Sequence, residues 1–133
     1  MRLKNYLEQH DNITFEINYI IQNIKSNITD EQAGELAKHI NLLAGKLSIH
    51  LSMEDKYLYP SLKDKEISNL SIDDYINEMG GLAKEFIAFK EKYNTKQKLL
   101  SHINSFHLDG KEMMNKIAAR IKKEENTIYK LID

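Results

Sequence analysis

A chain of 133 residues is long enough for one hydrophobic core, and its 41% apolar and 29% charged residues are those of an ordinary globular protein, so a single domain over residues 1–133 is expected. A formal net charge of −1, with no basic run longer than pairs such as Lys122-Lys123, excludes an electrostatic nucleic-acid binder, and the lack of cysteine excludes disulfides, zinc–thiolate sites, iron–sulfur clusters and thiol catalysis. Met1-Arg2-Leu3-Lys4-Asn5-Tyr6 has no apolar signal core and no segment approaches the ~18 apolar residues that span a bilayer; a cytoplasmic protein with no membrane partner is expected.

Scarce glycine and a single proline, with few strand signals, favour an all-α chain. The first helix carries Leu3, Tyr6, His10, Ile13, Ile17, Ile20 and Ile24 in three- and four-residue steps and should stop near Ser26-Asn27. Thr29-Asp30-Glu31-Gln32 reads as a capping box opening a second helix from about Asp30 to Leu62. Its inward face is Leu36, Ile40, Leu43, Leu47, His50, Glu54 and Leu58. Pro60 removes a backbone donor and should kink or finish the helix, leaving Ser61 to Asn69 as a loop or frayed end.

Ser71 as N-cap, with Asp73 and Asp74 in the first turn, announces a third helix with the stripe Ile72, Ile76, Met79, Leu82, Phe86, Phe89, Tyr93. The Gly80-Gly81 pair inside it costs roughly 1 kcal/mol per residue, so a packing reason or an irregularity is expected there. Asn94-Thr95 can cap the last helix, whose stripe includes Leu99, Ile103, Phe106, Met113, Ile117, Arg120, Glu124, Ile128 and Leu131, with Gly110 as a bend. Laid over the second helix, Arg120 to Tyr129 falls on His50 to Tyr59, with Glu124 on Glu54, while Met79 falls on His10; the halves form a weak internal repeat.

Four such helices with short connections make an up-down-up-down four-helix bundle the economical architecture. His10 and His50 lie at similar chain distances from the turn near Thr29, which brings them level in an antiparallel hairpin. Arg120 lies much farther from the turn near Thr95 than Met79 does, so the second connection must be longer or the fourth helix must begin later.

His50 and Glu54, one turn apart, aim a nitrogen and a carboxylate oxygen at one point. On a buried stripe such groups must be paired, neutralised or metal-bound; a hydrogen-bonded core pair is the competing reading. The pattern of His10, His50-x-x-x-Glu54 and Glu124 resembles the hemerythrin-like family of cation-binding helical bundles. That family's signature is a His, a His-x-x-x-Glu, another His and a second His-x-x-x-Glu. The resemblance covers nearly the whole chain, with Leu7-Glu8-Gln9-His10-Asp11 similar to the family's opening and His50 through Pro60 similar to its second-helix motif.

What the resemblance implies is a non-haem di-iron centre and a role in oxygen carriage, O2 or NO sensing, or repair under nitrosative stress. In the family one iron is served by the first two histidines, the other by those of the third and fourth helices, and the two carboxylates bridge. Here Met79 and Arg120 stand where the latter two histidines belong. The expectation is a mononuclear or asymmetric site of His10, His50, Glu54 and Glu124, with Arg120 replacing the second cation and clamping both carboxylates by charge-assisted hydrogen bonds. Such donors suit Fe(II), Mn(II) or Zn(II), iron being favoured through the resemblance and haem ranking below; Met79 is too soft a ligand and packs against the site. The rivals are a full di-iron site with non-histidine ligands and a metal-free structural or partner-binding bundle.

No acid–base pair or nucleophile stands out, so binding or sensing rather than catalysis is expected. His39, His102 and His107 are too far along their helices to complete the site and are given surface or capping roles. Tyr57, Tyr59 and Tyr129 flank the motif without spacing that assigns them a part.

Overall fold

The computed structural model describes residues 2–25, 27–63 and 72–132; Ser26, Ser71 and residues 64–70, on which parts of the expected helix end, loop and N-cap fall, lie outside the described residues. All regular structure among the described residues is helical: α1 Arg2–Asn23, α2 Asp30–Met53, α3 Tyr59–Lys63, α4 Ile72–Tyr93, α5 Lys96–Ser101 and α6 Ile103–Asn126. A π-helical segment, Glu54–Leu58, joins α2 to α3 without a break, and a 3-10 turn, Ile128–Leu131, follows α6. No helix among the described residues is long and apolar enough to cross a membrane.

The expected capping box forms. Thr29 Oγ1 accepts from Gln32 N at 3.1 Å while Gln32 Oε1 accepts from Thr29 N at 2.9 Å, satisfying two donors at the start of α2. Pro60 does not end its helix, which runs on through Ser61 to Lys63; just upstream the helix widens, the Tyr59 N–H bonding to the Glu54 carbonyl five residues back. Thr95 caps a short α5, the chain breaks at His102, and the long last helix starts only at Ile103, which removes the register mismatch noted above.

Two glycine readings change. Gly80 and Gly81 lie inside an uninterrupted α4, and a Cβ at either would meet nothing within 4 Å, so neither packing nor an irregularity explains them. Gly110 does not bend α6; a Cβ there would lie 2.7 Å from Ile24 Cδ1, so its small size lets the end of α1 approach α6.

The long helices neighbour one another in a cycle: α1 packs on α2, α2 on α4, α4 on α6 and α6 on α1. Their buried stripes make two apolar clusters. The larger holds Ile13, Ile17, Leu43, Leu47, Phe86 and Ile117 among others, the smaller Tyr6, Leu58, Tyr59, Tyr75, Ile128 and Tyr129 among others. His10 comes between Tyr6 and Ile13 along the chain, His50 and Glu54 between Leu47 and Leu58, and Arg120 and Glu124 between Ile117 and Ile128. The polar residues therefore form a layer between the clusters.

Candidate metal centre

His10, His50, Glu54 and Glu124 come together, each no more than 2% exposed, with one donor atom apiece lying within 4.8 Å of the others. His10 Nε2 is 3.2 Å from His50 Nε2 and 3.0 Å from Glu124 Oε1; His50 Nε2 is 3.1 Å from Glu54 Oε2. The outer ring nitrogens are tied back: His10 Nδ1 donates to Glu125 Oε2 at 2.8 Å, and His50 Nδ1 donates to Gln9 Oε1 at 2.8 Å. A carboxylate and an amide oxygen only accept, so each ring carries a proton on Nδ1 and aims Nε2 inward. This is how metal-binding histidines are held.

The electrostatics of the metal-free layer call for positive charge. Burial pulls the His50 imidazole down, but hydrogen bonds to Glu124 and Glu54 and their charges outweigh it and hold the ring up at about 9. Burial also opposes ionisation of Glu124, yet hydrogen bonds to His10 and His50 bring it down to about 2, whereas burial and the neighbouring Glu124 charge push Glu54 up. Glu124 thus holds the negative charge more firmly, and a proton on His50 does the work a cation would do. Two imidazoles and two carboxylates, buried and convergent, fit Fe(II), Mn(II) or Zn(II).

Two tyrosines join the layer. Tyr129 Oη is 2.8 Å from Glu54 Oε2, 2.9 Å from His10 Nε2, 3.3 Å from His50 Nε2 and 3.5 Å from Glu124 Oε1. Tyr59 Oη donates to Glu54 Oε1 at 3.3 Å. Each tyrosine follows a site glutamate by five residues, about 140° off its face on a regular helix. The π-helical segment turns Tyr59 back over Glu54, and the break at Thr127 with its 3-10 turn does the same for Tyr129. The five-residue spacing in both halves was the available signal, and helical periodicity alone does not give it meaning.

Arg120 does not clamp the two carboxylates. Its terminal nitrogens reach across to α4, Nη1 to Glu78 Oε2 and Nη2 to the Tyr75 carbonyl, both at 3.0 Å, with the guanidinium carbon 4.7 Å from the Tyr75 ring centre. Only Nε faces Glu124 Oε2, at 3.5 Å, and neither atom has a hydrogen-bond partner. The i,i+4 spacing made the Glu124 contact visible in the sequence, but the α4 acceptors had no such mark. Met79 is buried and lines an apolar pocket of about 600 Å³ between α2 and α4, along with Leu47, Leu51 and Ile117 and with none of the four clustered donors.

The remaining histidines stand apart. His102 and His107 are exposed, and His102 donates through Nδ1 to the Lys98 carbonyl at 3.0 Å, a capping contact. His39 is half-buried, stacks on Tyr19 and bonds through Nδ1 to Glu16 Oε1 at 2.5 Å; Lys46 Nζ reaches Glu16 Oε2 at 2.6 Å. Glu16, 2% exposed, is a buried acid missed in the sequence because it lies beside the stripe rather than on it.

Neither a curated protein nor a solved structure matches the chain. The family model of the hemerythrin HHE cation-binding domain matches residues 1–132. With a match over that span, the chain belongs to the hemerythrin HHE cation-binding domain family.

Proposed function

We propose that this protein holds one non-haem iron ion through His10, His50, Glu54 and Glu124 and uses it in the cytoplasm to bind or sense O2, NO or an oxidant, without catalysing a reaction. The observation that carries the reading is the convergence of four buried donors whose imidazoles are both oriented by Nδ1 hydrogen bonds, to Glu125 and to Gln9. A bound iron ion would supply a redox-active Lewis acid with room for a small diatomic ligand. The chain's own part is to present two inward Nε2 donors, to hold Glu124 ionised beside them, and to bury the site between two apolar clusters.

One ion rather than two is favoured because Met79 and Arg120 bring no imidazole to the far side of the carboxylates, and Arg120 brings a positive charge. The chain is read as one domain with its four long helices running up, down, up, down, which the cyclic order of helix neighbours supports. Metal quantification tests the function. We expect one iron per chain in wild type, none in His50→Ala, and more than one in Arg120→His, where an imidazole replaces the cation. A wild-type protein that is purified metal-free and takes up no Fe(II), Mn(II) or Zn(II) would sink the reading.

A further inference from the structure

We infer that Tyr129 is a fifth protein donor of this centre, binding the cation through its phenolate oxygen and tuning the site toward ferric iron. The inference rests on the metal-binding reading above and adds a ligand and an oxidation state to it.

The first support is spacing. Adjacent donors around an octahedral ion with bonds of about 2.1 Å stand about 3.0 Å apart. The histidine and carboxylate donors lie near that spacing among themselves, with contacts of 3.0, 3.1, 3.2 and 3.5 Å. Tyr129 Oη lies 2.8, 2.9, 3.3 and 3.5 Å from the same four atoms, and so belongs to the same shell.

The second support is orientation. With Nδ1 of both rings committed to Glu125 and Gln9, both Nε2 atoms and the two facing carboxylate oxygens converge on Tyr129 Oη. A cation at their centre engages all five atoms at once.

Placement is the third. The backbone leaves helical geometry at Thr127 (φ −127°, ψ −87°), and the following turn directs Tyr129 into the layer. The ring is then held between neighbours, stacked on His10 with centroids 4.8 Å apart and packed on Tyr6 at 5.6 Å, and is 2% exposed. It is thus preorganised rather than recruited.

Charge selects the metal. Two carboxylates and a phenolate carry three negative charges, which neutralise a trivalent ion beside two neutral imidazoles; all are hard or borderline donors. Binding through the phenolate would release the Oη–H proton, which Glu54 Oε2 accepts in the structure, as one proton per cation bound. No electron is transferred.

Wild type, Tyr129→Phe, Tyr59→Phe and Tyr6→Phe are loaded with Fe(III) from ferric nitrilotriacetate, and iron content, visible absorption and resonance Raman spectra are recorded. Wild type, Tyr59→Phe and Tyr6→Phe should show a phenolate-to-iron charge-transfer band with tyrosinate vibrations. Tyr129→Phe should lose the band and hold iron at least about tenfold more weakly against a chelator. Iron-loaded wild type without the band, or a band that persists in Tyr129→Phe or vanishes in Tyr59→Phe, would overturn the assignment while leaving metal binding intact. A wild type that takes up no iron overturns both. Should Tyr129→Phe not fold, the wild-type vibrations together with the Tyr59→Phe and Tyr6→Phe spectra decide the matter.

Discussion

Glu54→Gln separates the stability of this layer from its capacity for metal. Glu54 is fully buried and accepts from Tyr129 at 2.8 Å and from Tyr59 at 3.3 Å; its carboxyl is pushed up by burial first and by the charge of Glu124 as well. An amide of the same shape mimics the neutral acid. Its oxygen accepts from Tyr129 and its NH2 faces the Tyr59 oxygen, which can accept, while Glu124 remains to pair His50. The metal-free variant should therefore unfold within about 1 kcal/mol of wild type, since the amide keeps both tyrosine contacts and leaves no buried partner orphaned. With metal the two diverge. At a free-ion concentration of 100 times Kd, wild type gains about 2.7 kcal/mol. For 133 residues the unfolding entropy is about 0.28 kcal/mol per K, so Tm rises by about 10 °C. If the lost carboxylate weakens binding about 100-fold, the same metal concentration stabilises the variant by only about 0.4 kcal/mol, or about 1–2 °C. Thermal unfolding of chelator-stripped protein, followed by far-ultraviolet circular dichroism with and without Zn(II), measures both numbers. A metal-free Tm lowered by 10 °C or more would mean that the carboxylate is a structural tie, and an undiminished metal shift in the variant would remove Glu54 from the ligand set.

Gly80→Ala and Gly81→Ala, each with open space at the new Cβ, should raise stability by about 0.5–1 kcal/mol apiece in denaturant titration, whereas Gly110→Ala should show no such gain, because Ile24 Cδ1 lies 2.7 Å from its Cβ. The Glu16 cluster should soften in acid. Burial opposes ionisation of Glu16, but its bonds to His39 and Lys46 prevail and lower it from the ordinary 4.5. A folded-state carboxyl held below its unfolded value contributes stability above about pH 4.5 and loses it as pH falls through the lowered value. The stability difference between wild type and Glu16→Gln should accordingly shrink below about pH 4.5, and a difference constant with pH would exclude the ion pairs as its source.

The stripes were legible because periodicity averages over six or seven turns: every residue from Tyr6 to Ile24 assigned to the first stripe is buried, His10 included. Local departures from that period leave no comparable trace. The π-helical segment at Glu54–Leu58 depends on which carbonyl the Tyr59 N–H selects, and the late start of α6 on a break at His102. Tyr59 and Tyr129 were left unassigned for this reason, since five residues from a glutamate is the wrong face of a regular helix and the right one after an irregular turn. Glu16 was hidden for another reason. Its burial depends on His39 and Lys46 arriving from α2, a property of the helix pair and not of the stripe on α1. Side-chain direction was least legible: Arg120 has an acid four residues on in its own helix and another on α4, and the structure turns its fork to the latter.

That choice bears on how many ions the proposed centre holds. Glu124 spends Oε1 on the imidazole side and leaves Oε2 facing Arg120 Nε at 3.5 Å without a hydrogen bond. The guanidinium is anchored there by Glu78 and the Tyr75 carbonyl, so it does not retreat readily. Two unit charges about 4 Å apart at an effective dielectric of about 20 interact by about 4 kcal/mol, and a dication beside Arg120 would meet about twice that before the Glu78 charge offset part of it. A carboxylate oxygen and a thioether return too little against such a repulsion. A neutral imidazole at the same position removes the repulsion and adds a donor, which is why Arg120→His is expected to raise the metal content. Arg120→Met removes the charge without adding a donor. If it raised the metal content as much, repulsion alone would limit the site to one ion; if it did not, the missing nitrogen would be the limit.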